Sequence, residues 1–470
     1  MIIKDLREHF LKWEDDNKFY DFKVNNISIY TFIRFELFEA LVLEINPIVS
    51  FQKNEDQLKH KIDYFGILRN SLFFFVKIFK LFKKEIVITN SENRIKVKNI
   101  YQDIFFEKII ENINKNFAVL EFPNVKTLHK KPRSYETNTV NADFFYLLEK
   151  IITLNNKKDN IKNFTRHITL SYNKLYYKIH KTNIDCDILQ KKIENRVYRN
   201  IKRKSIYFHF FRLTKPKKIY IKSAYTPLNQ IIISSAITNN IPVIEVQHGH
   251  IYPSHIGYLL PFNKKHHDLF PNYIYLWSNY YKEVLLNNNW PNNKLLNIGN
   301  FTLKKFSKAT QIDSELINIK NEYETIITIL SQHTLADKFI DYLSDIKKLP
   351  ENVGIIIKLH PKYTDFQIEK YSTISTKNNI HILNQVDIYE LFSISDLLVS
   401  AYSTSIIEAI QVRKKVHLLK TQSSSLYENL LNMRQLVFSS SIYESYENMN
   451  NYDIMSMSLI QDFNPELLIK

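Results

Sequence analysis

Glycine is nearly missing from this chain, with five residues in 470. A sequence so poor in it keeps glycine where the backbone must take positive φ or come close to a ligand. Gly249, which follows a strand-like run and a histidine in Ile241-Pro242-Val243-Ile244-Glu245-Val246-Gln247-His248-Gly249, is marked in this way as a candidate site residue. Cysteine is scarcer still: Cys186 alone excludes an intramolecular disulfide, and no Cys/His cluster has zinc-site spacing. A reducing compartment is expected. The first residues, Met1-Ile2-Ile3-Lys4-Asp5-Leu6-Arg7-Glu8, lack the apolar core and cleavage site of a signal peptide. No apolar run is long enough to span a bilayer; the longest, Leu68 to Phe82, is interrupted by Arg69, Asn70, Lys77 and Lys80. P-loop, GxGxxG and G-x-S-x-G patterns are absent too, so kinase, dehydrogenase and lipase-type readings lose support.

What is present is basic and aromatic. Lys and Arg number 64 against 48 Asp and Glu, a formal net charge of +16, which favours anionic partners such as nucleic acid, a phospholipid surface or a nucleotide-phosphate substrate. Hydrophobic residues make up 44% of the chain, enough for ordinary globular cores, and its length exceeds what one core usually serves. The stretch Leu68 to Lys84 sets Phe73, Phe74, Phe75, Phe79 and Phe82 among Lys77, Lys80, Lys83 and Lys84. That composition suits a helix lying on an anionic membrane, and equally a core helix with a lysine-bearing outer face.

From Glu85 onward, short β-rich runs alternate with helix-like segments. Strands are expected at Glu85–Asn90, Phe117–Phe122, Lys218–Lys222, Val243–Val246, Tyr273–Trp277 and Leu295–Ile298, with a basic helical layer over 156–212. A second set follows at Thr325–Leu330, Gly354–Leu359, His381–Leu383, Leu397–Ser400 and Val416–Leu419. The pattern is that of parallel sheets with crossover helices. It divides the chain into a domain over 1–300 with helical insertions, a polar linker over 301–322 and a second domain over 323–470.

In doubly wound sheets ligands bind beyond the carboxyl ends of strands. His248, His360 and Ser403 all fall at such ends. An imidazole at His248 suits general-base work, with Glu245 as a neighbour should the strand end twist. The loop beyond Gly249 carries Tyr252, His255 and Tyr258, polar aromatics suited to binding an acceptor. Pro361 holds His360 extended for donation to a phosphate oxygen, and Lys358 lies two residues earlier on the same face. Ser403, Thr404 and Ser405 open a helix, where free N–H groups and hydroxyls suit an anion. Ser405-Ile406-Ile407-Glu408 also reads as a capping box, so Ser403 and Thr404 are assigned to the ligand and Ser405 to the cap. Asp185-Cys186-Asp187 follows no strand and reads as a helix cap.

Together, the Gln-His-Gly and Lys-x-His-Pro strand ends and the Ser-x-Tyr-Ser-Thr helix start resemble bacterial GT-B glycosyltransferases of capsule and lipopolysaccharide assembly, over about Lys218 to Lys420. They are similar to the Kdo and sialic acid transferases that use CMP-linked donors, and to the CDP-glycerol glycerophosphotransferases of teichoic acid synthesis. The chain departs from the glycerophosphotransferases at Ala401, where they have Asp, and from sialyltransferases in having Gln-His-Gly where those place an acidic residue. The resemblance implies an α/β fold of GT-B type, with two Rossmann-type domains facing a cleft. It implies transfer of a sugar from a nucleotide-sugar donor, CMP-linked favoured, to a growing surface polysaccharide or lipooligosaccharide. His248 would act as base, and Gly249, His360, Lys358, Ser403, Thr404 and Ser405 would surround the donor. The implied reaction is inverting, with no cofactor and no metal, in the cytoplasm or at the inner face of the membrane. The partners are the nucleotide sugar, a glycan or lipid-linked glycan acceptor and, as an open third, an anionic membrane surface. Two rivals stand beside it: a polyol-phosphate transferase of wall polymer synthesis, and a non-catalytic polyanion-binding protein. Against the second, the strand-end histidines are the wrong residues for a nucleic-acid backbone, which calls for lysine and arginine.

Overall fold

The computed structural model describes residues 3–468 apart from 25–26, 43–46, 49–63, 98, 114–115, 124–128, 153–157, 261–269, 301–311, 333–334, 360–368, 370, 372–378, 385, 434–435 and 451–458. Two parallel sheets organise it. The first contains β1 (Glu85–Asn90), β2 (Phe117–Phe122), β3 (Thr139–Asn141), β4 (Lys218–Ile221), β5 (Val243–Val246), β6 (Tyr273–Leu276) and β7 (Leu295–Asn297). Their spatial order is 7-6-5-4-1-2-3, with every neighbouring pair parallel. The second contains β8 (Thr325–Leu330), β9 (Val353–Lys358), β10 (Ile380–Leu383), β11 (Leu397–Ser400), β12 (Lys415–Leu419) and β13 (Val437–Ser439). Its order, 10-9-8-11-12-13, is the same winding, again parallel throughout. Helices cover both faces of such sheets, so their strands are apolar on both sides; Phe117–Phe122 is buried at every position. The fold is therefore α/β and GT-B-like, with two doubly wound units.

In each sheet the winding reverses beside the first strand, between β1 and β4 and between β8 and β11, and a crevice opens there at the carboxyl ends. The two halves are held together by a shared apolar cluster. Ile251, Trp277 and Tyr281 from the first half pack with Ile406, Ile410, Tyr427 and Leu430 from the second.

The chain also returns to its first half at the end. Gln461 N donates to Trp277 O at 2.9 Å, Asn300 N to Gln461 O at 2.8 Å and Asn464 N to Ile298 O at 2.8 Å. Gly299, at φ +78°, makes the crossing fit, because a Cβ there would lie 2.1 Å from Asp462 O. Gly299→Ala is expected to lower stability by at least about 1 kcal/mol, combining an adverse φ with a main-chain clash. Thermal unfolding would show it, and an unchanged melting temperature would mean the return segment is not held there.

Three features differ from the sequence expectation. Within the expected linker, Ser314–Glu322 is a helix capped by Asp313, with Leu316 and Ile319 buried against the second sheet. Strands β3 and β13, three residues each, are additional to those expected. The hairpin Arg94–Val97 and Ile100–Asp103 was likewise not legible. The helical layer does form, as Lys158–His180 and Cys186–Thr214, and Asp185 caps the latter by accepting from Asp187 N and Ile188 N.

A buried charge network closes the carboxyl end of β2. Glu121 accepts from Arg94 and Arg133 and lies 2.8 Å from His129 Nδ1, while His129 Nε2 lies 2.7 Å from Asp143 Oδ2. Burial alone would raise the Glu121 carboxyl; the His129 hydrogen bond and two guanidiniums instead pull it down to about 2. Arg34 ties the N-terminal helices to the loop beyond β5. It pairs with Glu14 at 2.6 Å and donates to Ile256 O at 2.8 Å and Leu259 O at 3.1 Å.

Candidate active site

A cleft of about 500 Å³ lies between the two halves. Its first wall is built at the carboxyl ends of β5, β6 and β7 from Gln247, His248, Trp277, Gly299 and Asn300, with Asp103, Phe105 and Glu107 beside them. The opposite wall comes from the second half as Asp387, Tyr389, Thr404 and Glu408.

The Gln-His-Gly turn is fixed by the Gln247 side chain and by Trp277. Gln247 Oε1 accepts from Trp277 N at 2.8 Å, its Nε2 donates to Gly249 O at 2.9 Å, and Trp277 Nε1 donates to Gln247 O at 3.1 Å. His248 Nε2 lies 3.0 Å from Ser223 Oγ and 3.4 Å from Tyr225 OH. Ser223 reaches it from the end of β4 in a left-handed conformation, φ +52°, of the sort stored at functional sites. His248 Nδ1 is shielded from solvent and has no hydrogen-bond partner among the described residues. Burial, then the nearby Lys222 and His255, push the His248 pKa down to about 3, so the imidazole is neutral. Lys222 bridges the β1–β4 crevice, donating to Asn93 Oδ1 at 2.6 Å and lying 4.5 Å from the centre of the Phe105 ring.

The two halves meet at Gly249. A Cβ there would lie 3.2 Å from Thr404 Oγ1, so the absence of a side chain lets the histidine turn reach the hydroxyl-rich turn. Beside it, His250 stacks on Tyr427 with centroids 4.8 Å apart and planes 6° from parallel, and Tyr427 OH donates to Ser403 O at 2.7 Å. His248, Gly249 and Thr404 are thus brought together. Ser403, not Ser405, makes the capping bond, Ser403 Oγ accepting from Ser405 N at 3.3 Å, while Ser405 lies buried in the helix. The capping box does not form, since Thr404 is already helical and the Glu408 carboxylate accepts from Tyr389 OH at 2.8 Å.

Other expected residues lie elsewhere. Glu245 is fully buried behind the strand, where Oε1 accepts from Tyr258 OH at 2.7 Å and Ala224 N at 3.1 Å. It positions the β4 and β5 ends and does not line the cleft. Burial raises it to about 7, against the lowering hydrogen bonds. Tyr252, His255 and Tyr258 form a packed aromatic group with Tyr225 instead of an acceptor surface, because Arg34 draws their loop onto the N-terminal helices. Lys358 Nζ donates to Asn384 O at 3.0 Å and Leu359 O at 3.3 Å, securing the end of β9. His360 lies outside the described residues.

Several cleft residues escaped the sequence reading. Asp103 Oδ1 accepts from Phe105 N at 2.9 Å and Phe106 N at 3.0 Å, and Glu107 accepts from Ser134 Oγ at 2.8 Å; burial raises both carboxyls. The signal that could have found Lys222 and Ser223 is their place at the end of the expected strand Lys218–Lys222 and just beyond it, next to the winding reversal. Among the described residues no group of three His, Cys, Asp or Glu side chains is placed to hold a metal ion.

No family model matches the chain, and no curated protein matches it in sequence. Among solved structures it is similar to the UDP-GlcNAc 2-epimerase of Methanocaldococcus jannaschii, at 12% identity, covering 82% of this chain and 97% of that one with a TM-score of 0.47. The UDP-GlcNAc 2-epimerase of Neisseria meningitidis bound to UDP-GlcNAc is similar at 13% identity, 81% and 95% coverage and a TM-score of 0.47. S. aureus MnaA with UDP gives 10%, 81%, 92% and 0.47. Likeness at this level carries no argument, and the fold rests on the two sheets themselves.

Proposed function

We propose that the protein is a glycosyltransferase that moves a sugar from a nucleotide-activated donor, CMP-linked favoured, to a growing surface polysaccharide or lipooligosaccharide. The observation that supports this most is the convergence of His248 and Thr404, from opposite halves of the chain, on one cleft at the carboxyl ends of both sheets. The described walls carry Asp103, Glu107, Asp387 and Glu408, and carboxylates suit the hydroxyls of a sugar. Phosphate would be met by Thr404 together with Ser403 and His360, the latter as the sequence resemblance implies.

In the proposed reaction the acceptor oxygen attacks the anomeric carbon, its proton passes to His248, and the bond to the phosphate oxygen breaks with its electron pair leaving on the nucleotide. In the tautomer that donates Nε2–H to Ser223, the buried and unpartnered Nδ1 carries the lone pair that would take the proton. An unpartnered buried polar atom costs about 1–3 kcal/mol, so a ligand that satisfies it gains that much in its favour.

The test is thermal unfolding and turnover across CMP-, CDP-, UDP- and GDP-linked compounds, with and without chelator. One nucleotide class is expected to raise the melting temperature, by the equivalent of about 2.7 kcal/mol at a hundredfold excess over Kd, and to be consumed only with acceptor present, chelator making no difference. Turnover of CDP-glycerol instead would make it a polyol-phosphate transferase, and epimerisation without acceptor would remove the transfer step. Steep salt-dependent binding of polyanions with no turnover would remove the enzyme reading altogether.

A further inference from the structure

The helix Tyr64–Lys77 buries one side and carries apolar residues on the opposite, exposed one. Its inner stripe, Ile67, Asn70, Ser71 and Phe74, packs on the helix Asp143–Ile151, where Phe74 stacks on Phe144 and meets Phe145 edge-on. Its outer stripe has no reason in folding to be apolar, yet Phe65, Leu72, Val76 and, in the turn that follows, Phe79 are 77%, 64%, 74% and 75% exposed. Scattered exposed apolar residues need no explanation, but a contiguous row of this size marks an interaction surface. Ile151, at the end of the neighbouring helix, is exposed as well.

Charge beside the row indicates what covers it. A cavity of about 550 Å³ opens next to the stripe, lined by Arg69, Asn70, Phe73, Phe74, Lys77, Lys131 and Asn141. Among the described residues three cations line it and no carboxylate does, although Lys131 Nζ lies 3.4 Å from Glu136 Oε1 at the rim. Lys80, Lys83 and Lys84 follow the helix in the chain, Lys80 Nζ donating to Thr137 O. No helix among the described residues is long and apolar enough to cross a membrane, so such a surface would rest on a bilayer and not span it.

From this exposed aromatic row and its basic cavity, we infer that the first domain docks on an anionic phospholipid bilayer, with the phenylalanines in the interface and a lipid phosphate in the Arg69, Lys77 and Lys131 cavity. Asn141 ends β3, on the same rim of the parallel sheet as His248 and four strand spacings or about 19 Å from it. Phe79 and Lys80 instead lie toward the amino end of β3, where Lys80 Nζ donates to Thr137 O, so the face runs along the edge of the sheet. The docking inference itself does not depend on the reaction proposed for the cleft.

Flotation of the full chain with phosphatidylcholine and phosphatidylcholine–phosphatidylglycerol vesicles tests it directly. Binding is expected only with phosphatidylglycerol and should weaken as salt rises. Arg69→Glu with Lys80→Glu, and separately Phe65→Ser with Val76→Ser and Phe79→Ser, should each reduce vesicle affinity by at least about tenfold. The substituted side chains are exposed or at the rim, so circular dichroism and nucleotide-dependent stabilisation should be unchanged. Equal binding to both vesicle types, or undiminished binding by both variants, would overturn the inference. A concentration-dependent dimer abolished by the serine substitutions would do so too, because the face would then belong to a second copy.

Discussion

Replacing His248 by Ala or Gln should lower turnover by at least about a hundredfold while leaving donor-dependent thermal stabilisation in place. The magnitude is that of a lost acid–base group, and the retained stabilisation separates a role in the reaction from one in folding. Gln is the stricter variant, since it can keep a hydrogen bond to Ser223 yet cannot take up a proton. The pH profile gives an independent reading. In the free protein burial and Lys222 hold His248 near 3, so kcat/KM should show no acid limb at the ordinary histidine value. A bound nucleotide phosphate favours the imidazolium, so the acid limb of kcat should lie above that of kcat/KM. Near-normal kcat in His248→Gln would remove the histidine from the mechanism and leave Asp103 and Glu107 as the remaining bases on that wall.

Much of the fold was legible because its strands are buried on both faces. Val243–Val246, Thr325–Leu330 and Leu397–Ser400 are short, mainly apolar runs with β-branched residues, and they form with the limits the sequence suggests. Position along a strand then placed His248 and Thr404 at the carboxyl ends, which topology brings together. What pattern could not supply was the direction of a side chain once the strand had ended. Glu245 alternates away from the cleft as the strand period requires, and no extra twist brings it back. Tyr252, His255 and Tyr258 look like binding residues by composition, but Arg34, more than two hundred positions earlier, pulls their loop into the core. Ser223 was invisible for a related reason: its φ of +52° is imposed by the tertiary structure in a chain with little glycine to signal such positions.

Acid should unfold the protein in a window set by its histidines. His248, His250 and His255 are held down to about 3 and His417 to about 4, in each case chiefly because burial disfavours the imidazolium. These folded values lie below the ordinary 6.5, so the unfolded chain binds more protons as pH falls from 6.5 toward 3, and stability falls with it. Each proton is worth about 1.4 kcal/mol per pH unit, giving a ceiling of about 5.5 kcal/mol per unit for four; water reaching the half-buried His248 and His250 lowers it. Glu245 works the other way. Its carboxyl is raised to about 7, so between 4.5 and 7 the folded state holds an extra proton, and the stability this contributes is lost as pH rises across that range, offsetting one of the four histidines. Glu121, held at about 2, adds acid lability only between 4.5 and 2. The net expectation is a steep loss of denaturant-measured stability between pH 6.5 and 4.5, where Glu121 does not yet contribute. His250→Phe would keep a ring to stack on Tyr427 and remove one titrating group, so its slope should be shallower by up to about 1.4 kcal/mol per pH unit. A flat profile across that window would show that the imidazoles around the histidine turn are open to water, and the neutral His248 on which the proposed reaction rests would go with them.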